Sequence, residues 1–192
     1  MSPPVYFGDD IPLESHLIEV RVRDVQSLFD SLDPSPFIAL DLDDDAHQYI
    51  CTSAKELNTR LPLALAVHVA EPLVSAEETL DAGEAIREHF IRQAGFATVH
   101  LNQLIRTGLI SLAIGLAFLS LALTASAALA PWAETYRTIS IFREGLLICG
   151  WVAMWRPLQI FLYDWWPILG ERRIFDRLGR MPVQIVCDGN PA

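Results

Sequence analysis

The chain has 192 residues, 24 acidic against 14 basic for a formal net charge of −10, and 52% of its residues are apolar. That apolar share is high for one soluble domain, and the acidic balance excludes a surface built to grip nucleic-acid phosphates. Charge is also unevenly spread: residues 1–106 carry 18 acidic and 7 basic groups, residues 131–192 carry 6 and 7, and none lies between.

The opening MSPPVYFGDD has no basic stretch leading into an apolar one, so no secretory signal peptide is expected. Residues 17–23 (LIEVRVR) alternate apolar and charged side chains, the pattern of a half-buried strand. Val25, Leu28, Phe29 and Leu32 then recur at helical spacing, predicting a short helix that Asp33-Pro34-Ser35-Pro36 stops, since each proline disfavours helix at the residue before it. The Asp-rich stretch from Asp41 opens a second predicted helix: carboxylates at a helix start cap free amides and meet the positive end of the dipole. Ala46, Ile50 and Leu57 fall on one face of it. Residues 61–69 (LPLALAVHV) are more uniformly apolar than the first strand, which predicts a strand at the sheet centre.

From Ser75 the chain reads as helix almost without a break, opening on Ser75-Ala76-Glu77-Glu78 as a capping box. Residues 108–129 are 22 consecutive positions without a charge, roughly 33 Å of helix at ~1.5 Å per residue, enough to cross a hydrocarbon core of about 30 Å. One stripe along this helix repeats at spacings of four and three. Its cytoplasmic part, Phe90, Ala94, Ala97 and Leu101, includes large apolar residues; its continuation towards and into the bilayer, Leu104, Gly108, Ser111, Gly115, Phe118 and Ala122, is mostly small. This candidate helix-packing seam follows the rule that hydrophobicity drives packing in water and close backbone approach drives it in lipid.

The segment 145–170, GLLICGWVAMWRPLQIFLYDWWPILG, is greasy but carries Arg156, Pro157 and Asp164. The second span is therefore expected to begin near Thr138 and to end at Arg156-Pro157, where the arginine can snorkel and the proline can kink the helix. Trp155, Tyr163, Trp165 and Trp166 suit a membrane interface. The competing reading keeps Arg156 and Asp164 inside the bilayer as an ion or proton path. At a spacing of eight on one helix the two are not expected to touch, so they would pair between protomers. Residues 171–180 (ERRIFDRLGR) then form a short basic amphipathic helix and 181–187 (MPVQIVC) a third strand.

Arginines 87, 92 and 106 precede the first span and 172, 173, 177 and 180 follow the second, against only Arg137 and Arg143 between them. The positive-inside rule puts both termini in the cytoplasm. A lone C-terminal strand is unstable, so it is expected to join the N-terminal pair. The expected fold is a membrane α-helical hairpin of two transmembrane helices plus a small cytoplasmic α+β domain with about three strands from both chain ends. Its parts are a cytoplasmic α+β region (1–74), a helical stalk (75–106), the first span (107–130), an external loop (131–137), the second span (138–157), an interfacial aromatic segment (158–170) and a returning helix and strand (171–192).

Asp41, Asp43, Asp44, Asp45 and His47 invite a divalent-metal reading, but the spacing, the missing glycine and the missing distal glutamate do not match an EF-hand loop. Helix capping and a solvated acidic face explain them better. His16, His68, His89 and His100 have no metal-ligand spacing and read as packing or surface residues, and Cys51, Cys149 and Cys187 lie far apart as reduced structural thiols. No nucleophile elbow, phosphate loop or dinucleotide fingerprint occurs, so no catalytic residue, metal or cofactor is expected.

Asp33-Pro34-Ser35-Pro36-Phe37 followed by Leu42-Asp43, and the run from Trp155 to Pro167 (WRPLQIFLYDWWP), resemble a family of small uncharacterised bacterial inner-membrane proteins. The resemblance extends over most of the chain. It implies the membrane hairpin and brings no activity. The expected function is a non-enzymatic scaffold, partner-binding or assembly protein of the bacterial inner membrane, in contact with the lipid bilayer, with a protein partner on its cytoplasmic domain or further copies of itself, and without nucleic acid. The alternative is a small oligomeric ion or proton channel or transporter component using Arg156 and Asp164.

Overall fold

A computed structural model describes residues 5–29, 41–57, 61–70 and 76–187, with 76–80 described in backbone only. The chain divides into two compact units, residues 1–96 with 171–192 and residues 97–170. They are called here the sheet unit and the hairpin unit.

The sheet unit holds four strands, β1 (Val5–Gly8), β2 (His16–Val22), β3 (Leu63–Val69) and β4 (Val183–Cys187), in the order β1-β4-β3-β2. β3 runs parallel to both neighbours, and β1 closes the sheet antiparallel to β4. As its uniform apolarity predicts, β3 is internal, and all its residues except His68 are buried. The C-terminal strand enters the sheet between β3 and β1, so both chain ends build one sheet. The count of three strands is corrected to four. β1 leaves little trace in the sequence because it has only four residues and little alternation; its position is set at its far end. Gly8 has φ +96°, and a Cβ there would lie 2.6 Å from the Val183 carbonyl oxygen, so only glycine fits. The next residue, Asp9, donates its N–H to that carbonyl at 3.0 Å and accepts from the Val183 N–H (3.2 Å) and from Arg87 Nη1 (2.6 Å) through Oδ2.

Helix α1 (Asp44–Glu56) starts where the acidic run predicts, with the Asp43 carboxylate accepting the Asp45 N–H at 3.0 Å. Such a cap is worth about 1 kcal/mol. Of the helix predicted over 25–32, the described residues form a 3₁₀ turn, Gln26–Leu28, followed by an extended Phe29 and fastened by the Ser27 N–H to Asp24 Oδ1 at 2.7 Å. Leu32, the proline segment 33–37 and Ser75 lie outside the described residues. Helix α2 (Ala76–Ala133) buries Ala82, Ala85, Ile86 and Phe90 in the sheet unit's core, together with Leu28, Ile50, Leu65, Val67, Leu178 and Ile185. Each large side chain buried in this way contributes roughly 1.5–3 kcal/mol.

The hairpin unit contains the rest of α2, a turn in which the Tyr136 N–H donates to the Trp132 carbonyl, and α3 (Arg137–Ala153). Helix does not end at Pro157. The break comes at Met154, and helix resumes through α4 (Trp155–Gln159), a π-helical turn (Ile160–Asp164) and α5 (Trp165–Leu178). The displacement has a direct cause: proline clashes with the carbonyl four residues back and offers it no N–H, and that residue is Ala153, the last of α3. Pro157 itself sits in the first turn of α4, where its missing N–H costs nothing. Two helical stretches, Asp81–Ala133 and Arg137–Leu178, are long and apolar enough to cross a membrane.

Candidate functional site

The sheet unit gathers five polar side chains that are scattered in sequence. Asp41 precedes α1, His47 and Cys51 stand one turn apart on α1, and His89 and Arg92 stand three apart on α2. Arg92 Nη2 donates to Asp41 Oδ1 at 2.7 Å, and His89 Nδ1 lies 3.0 Å from the same oxygen. His89 Nε2 is 2.9 Å from His47 Nδ1, and His47 Nε2 is 3.5 Å from Cys51 Sγ. Phe90 stacks on His47 and meets the His89 ring edge-on, and Phe175 lies 5.9 Å from His47 between ring centroids.

With Asp41 ionised and both imidazoles neutral, the protons are assigned along the row. The Asp41 carboxylate only accepts, so His89 donates from Nδ1; its bare Nε2 then accepts the His47 Nδ1–H, and the bare His47 Nε2 accepts the Cys51 S–H. The Leu42 N–H lies 3.4 Å from His89 Nδ1, a longer contact that yields to the charge-assisted bond. The electrostatics agree. The Arg92 hydrogen bond is the largest influence holding the Asp41 carboxyl below its usual range, against the opposing effect of burial. Burial is the main cause lowering both imidazoles, which keeps them neutral, and it pushes the Cys51 thiol up to about 11.

This row opens on a cavity of about 500 Å³, into which α1 contributes His47, Cys51 and Lys55 and α5 contributes Glu171, Ile174 and Phe175. His89, at 3% exposure, lies behind His47 in the middle of the row, and Asp41 at the far end is exposed. The acidic run is therefore only in part a solvated face, because His47 is drawn inward against Phe90. Among the described residues no group of three or more His, Cys, Asp or Glu side chains is placed to hold a metal ion. His16 and His68 lie in the sheet, and His100 is exposed on α2. The chain's local signal for the row is slight: a histidine and a cysteine four apart on one helix, and a histidine beside Ile86 and Phe90 on the buried face of another.

In the hairpin unit, Arg156 and Asp164 do meet within one chain, Nη1 to Oδ2 at 3.2 Å, with Gln159 Oε1 accepting a longer bond from Arg156 at 3.5 Å. The expectation that a spacing of eight prevents contact is corrected. In an α-helix the two would stand about 12 Å apart along the axis at ~1.5 Å per residue. The π turn between them widens the coil, and the long arginine side chain covers the remainder. Of the seam residues, Gly108, Gly115 and Ala122 are buried, Leu104 and Ser111 are half-buried, and Phe118 is 46% exposed. A Cβ on Gly108 would stand 2.8 Å from Ile160 Cγ2, and one on Gly115 would stand 3.1 Å from the Ala153 carbonyl oxygen left without its partner at Pro157. Ser111, Gly115 and Phe118 border a shallow apolar recess of about 350 Å³ with Ala153, Arg156 and Pro157. Farther along, Arg143 Nε donates to the buried Ser126 hydroxyl at 3.1 Å.

No family model, curated protein or solved structure matches the chain.

Proposed function

We propose that the chain is a two-span protein of the bacterial inner membrane, anchored by its helical hairpin, with a cytoplasmic α+β domain that binds a protein partner or further copies of the chain. The observation that carries the membrane reading is exposure. Ile110, Ile114, Leu121, Phe142 and Ile148 are each more than half exposed, on helices that a water-soluble chain would have to cover with protein. Lipid is the solvent that suits such surfaces, and glycine-lined contacts with a partly buried polar contact, Arg143 to Ser126, suit helices that meet inside it. The arginine flanks support cytoplasmic termini, and the sheet built from both ends is compatible with them. The binding role is supported by the outer strands β1 and β2, since a sheet's edge is a template on which another chain can add.

Arg156 and Asp164 take the role of an interfacial anchor in this reading. Their mutual contact compensates both charges, and they lie in a segment bearing Trp155, Tyr163, Trp165 and Trp166. Extraction of native membranes with alkaline carbonate is the direct test. The protein is expected to stay in the membrane pellet; its release into the supernatant would overturn the membrane reading.

A further inference from the structure

We propose that Cys51 is a nucleophile for acyl transfer, with His47 as its general base and with the adjoining cavity receiving an activated acyl group, a thioester being the simplest. One end of the row is the exposed ion pair of Asp41 with Arg92, and the other is a buried thiol beside a cavity of about 500 Å³. Every proton along the row points toward the carboxylate. Removing the thiol proton to His47 Nε2 therefore creates an imidazolium whose other N–H already points to His89, and His89 in turn is held by Asp41. This is the logic of a nucleophile, a base and an orienting acid with one imidazole interposed. The resting state suits a base-assisted attack rather than a standing thiolate, because the thiol is kept protonated by burial and the imidazole is kept neutral.

The chemistry balances without an oxidant or reductant. Sγ attacks the carbonyl carbon of the thioester as its proton passes to His47, forming the S–C bond and a tetrahedral oxyanion. Collapse breaks the carbon–sulfur bond to the leaving group, and His47 returns the proton to the departing sulfur. The products are S-acyl-Cys51 and a free thiol. Cys51 lies inside α1, where its own N–H belongs to the helix ladder, so side chains must meet the oxyanion. Lys55, one turn farther along α1, borders the same cavity with Gln48 and Thr52. Ile174 and Phe175 on the opposite wall give an acyl chain an apolar surface.

The test uses the full-length protein in detergent with a soluble acetyl thioester, S-acetyl-N-acetylcysteamine, and mass spectrometry of the cysteine peptides. Cys51 is expected to be acetylated at least about tenfold faster than the half-buried Cys187 of β4, and His47→Gln is expected to slow it about 100-fold, the lower end of general-base effects. The wild-type pH profile keeps the proposal falsifiable if that variant does not fold. Asp44 and Lys55 on α1, Asp41 before it, Arg92 and His89 on α2 and Glu171 on α5 surround His47 and Cys51. With His47 as base the rate is level from about pH 7 to 9, because the imidazole is already neutral there. A rate that climbs about tenfold per pH unit across that range would mark attack by a bare thiolate. That result would overturn the proposal, as would acetylation of Cys51 no faster than that of Cys187.

Discussion

Helix α2 belongs to both units, and its two halves pack in opposite ways. In the sheet unit it meets its neighbours with Ile86 and Phe90, both fully buried, and carries His89 into the core. In the hairpin unit it meets them through Gly108, Gly115 and Ala122, while Ile110, Ile114 and Leu121 face outward. One continuous helix thus changes which side chains it hides. The sheet unit gains stability by removing large apolar groups from water and can then hold a hydrogen-bonded polar row among them. The hairpin unit gains by close approach of backbones and keeps few polar contacts, such as Arg143 to Ser126 and Arg156 to Asp164.

The stability of the sheet unit rests on its large buried side chains. Phe90→Ala removes the ring that stacks on both His47 and Phe175 and is expected to destabilise the sheet unit by about 3–5 kcal/mol, read from thermal or denaturant unfolding in detergent. A change below about 1 kcal/mol would mean that Phe90 is not a core residue in the sense used here. The converse substitution probes the hairpin. Gly115→Val pushes a side chain into the Ala153 carbonyl and is expected to cost about 1–3 kcal/mol in helix-pair stability, measured by detergent denaturation, with the sheet unit's melting unaffected.

Acidity sharpens the contrast. His47 and His89 have folded-state values below their ordinary 6.5, so their contribution is fully present above that pH and is lost as pH falls through the lowered values. Cys51 is raised from 9.0 to about 11, so its contribution is present below pH 9 and is lost as pH rises from there toward 11. As far as these three groups govern it, the sheet unit's melting temperature is therefore expected to be highest between about pH 7 and 9. Replacing His89 and His47 by glutamine should flatten the acid side. The smallest effect belongs to Arg156→Ala and Asp164→Ala, each expected to change stability by no more than about 1 kcal/mol because the arginine is largely exposed. Ion flux into proteoliposomes is expected to equal that of empty vesicles for wild type and both variants; flux that wild type supports and both variants lose would restore the channel reading.

Much of the fold was legible because it depends on local patterns. Alternation marked β2, uniform apolarity marked β3, the acidic run marked α1, and a charge-free run of 22 residues marked the first apolar helix. β1 was not legible, since four residues become a strand only through pairing with β4 and through the contact at Gly8. The break at Met154 was misplaced by three residues because proline acts on the carbonyl four positions back. The polar row left almost no trace, because His89 lies 42 residues from His47 and 48 from Asp41, and only the packing of α2 against α1 and the sheet brings them together. The π turn was invisible for a similar reason: nothing in IFLYD announces a widened coil, yet it decides whether Arg156 reaches Asp164.

One sheet built from both chain ends around the proposed membrane hairpin requires both ends to lie on one side of the membrane. Single cysteines placed in a cysteine-free background at Asp10, Glu134 and Arg180, then treated with a membrane-impermeant maleimide on right-side-out vesicles, test it most directly. The expected result is labelling at position 134 in intact vesicles and at positions 10 and 180 only after permeabilisation. Labelling at 10 or 180 alone before permeabilisation, with the other protected, would put the two chain ends on opposite sides and contradict the account.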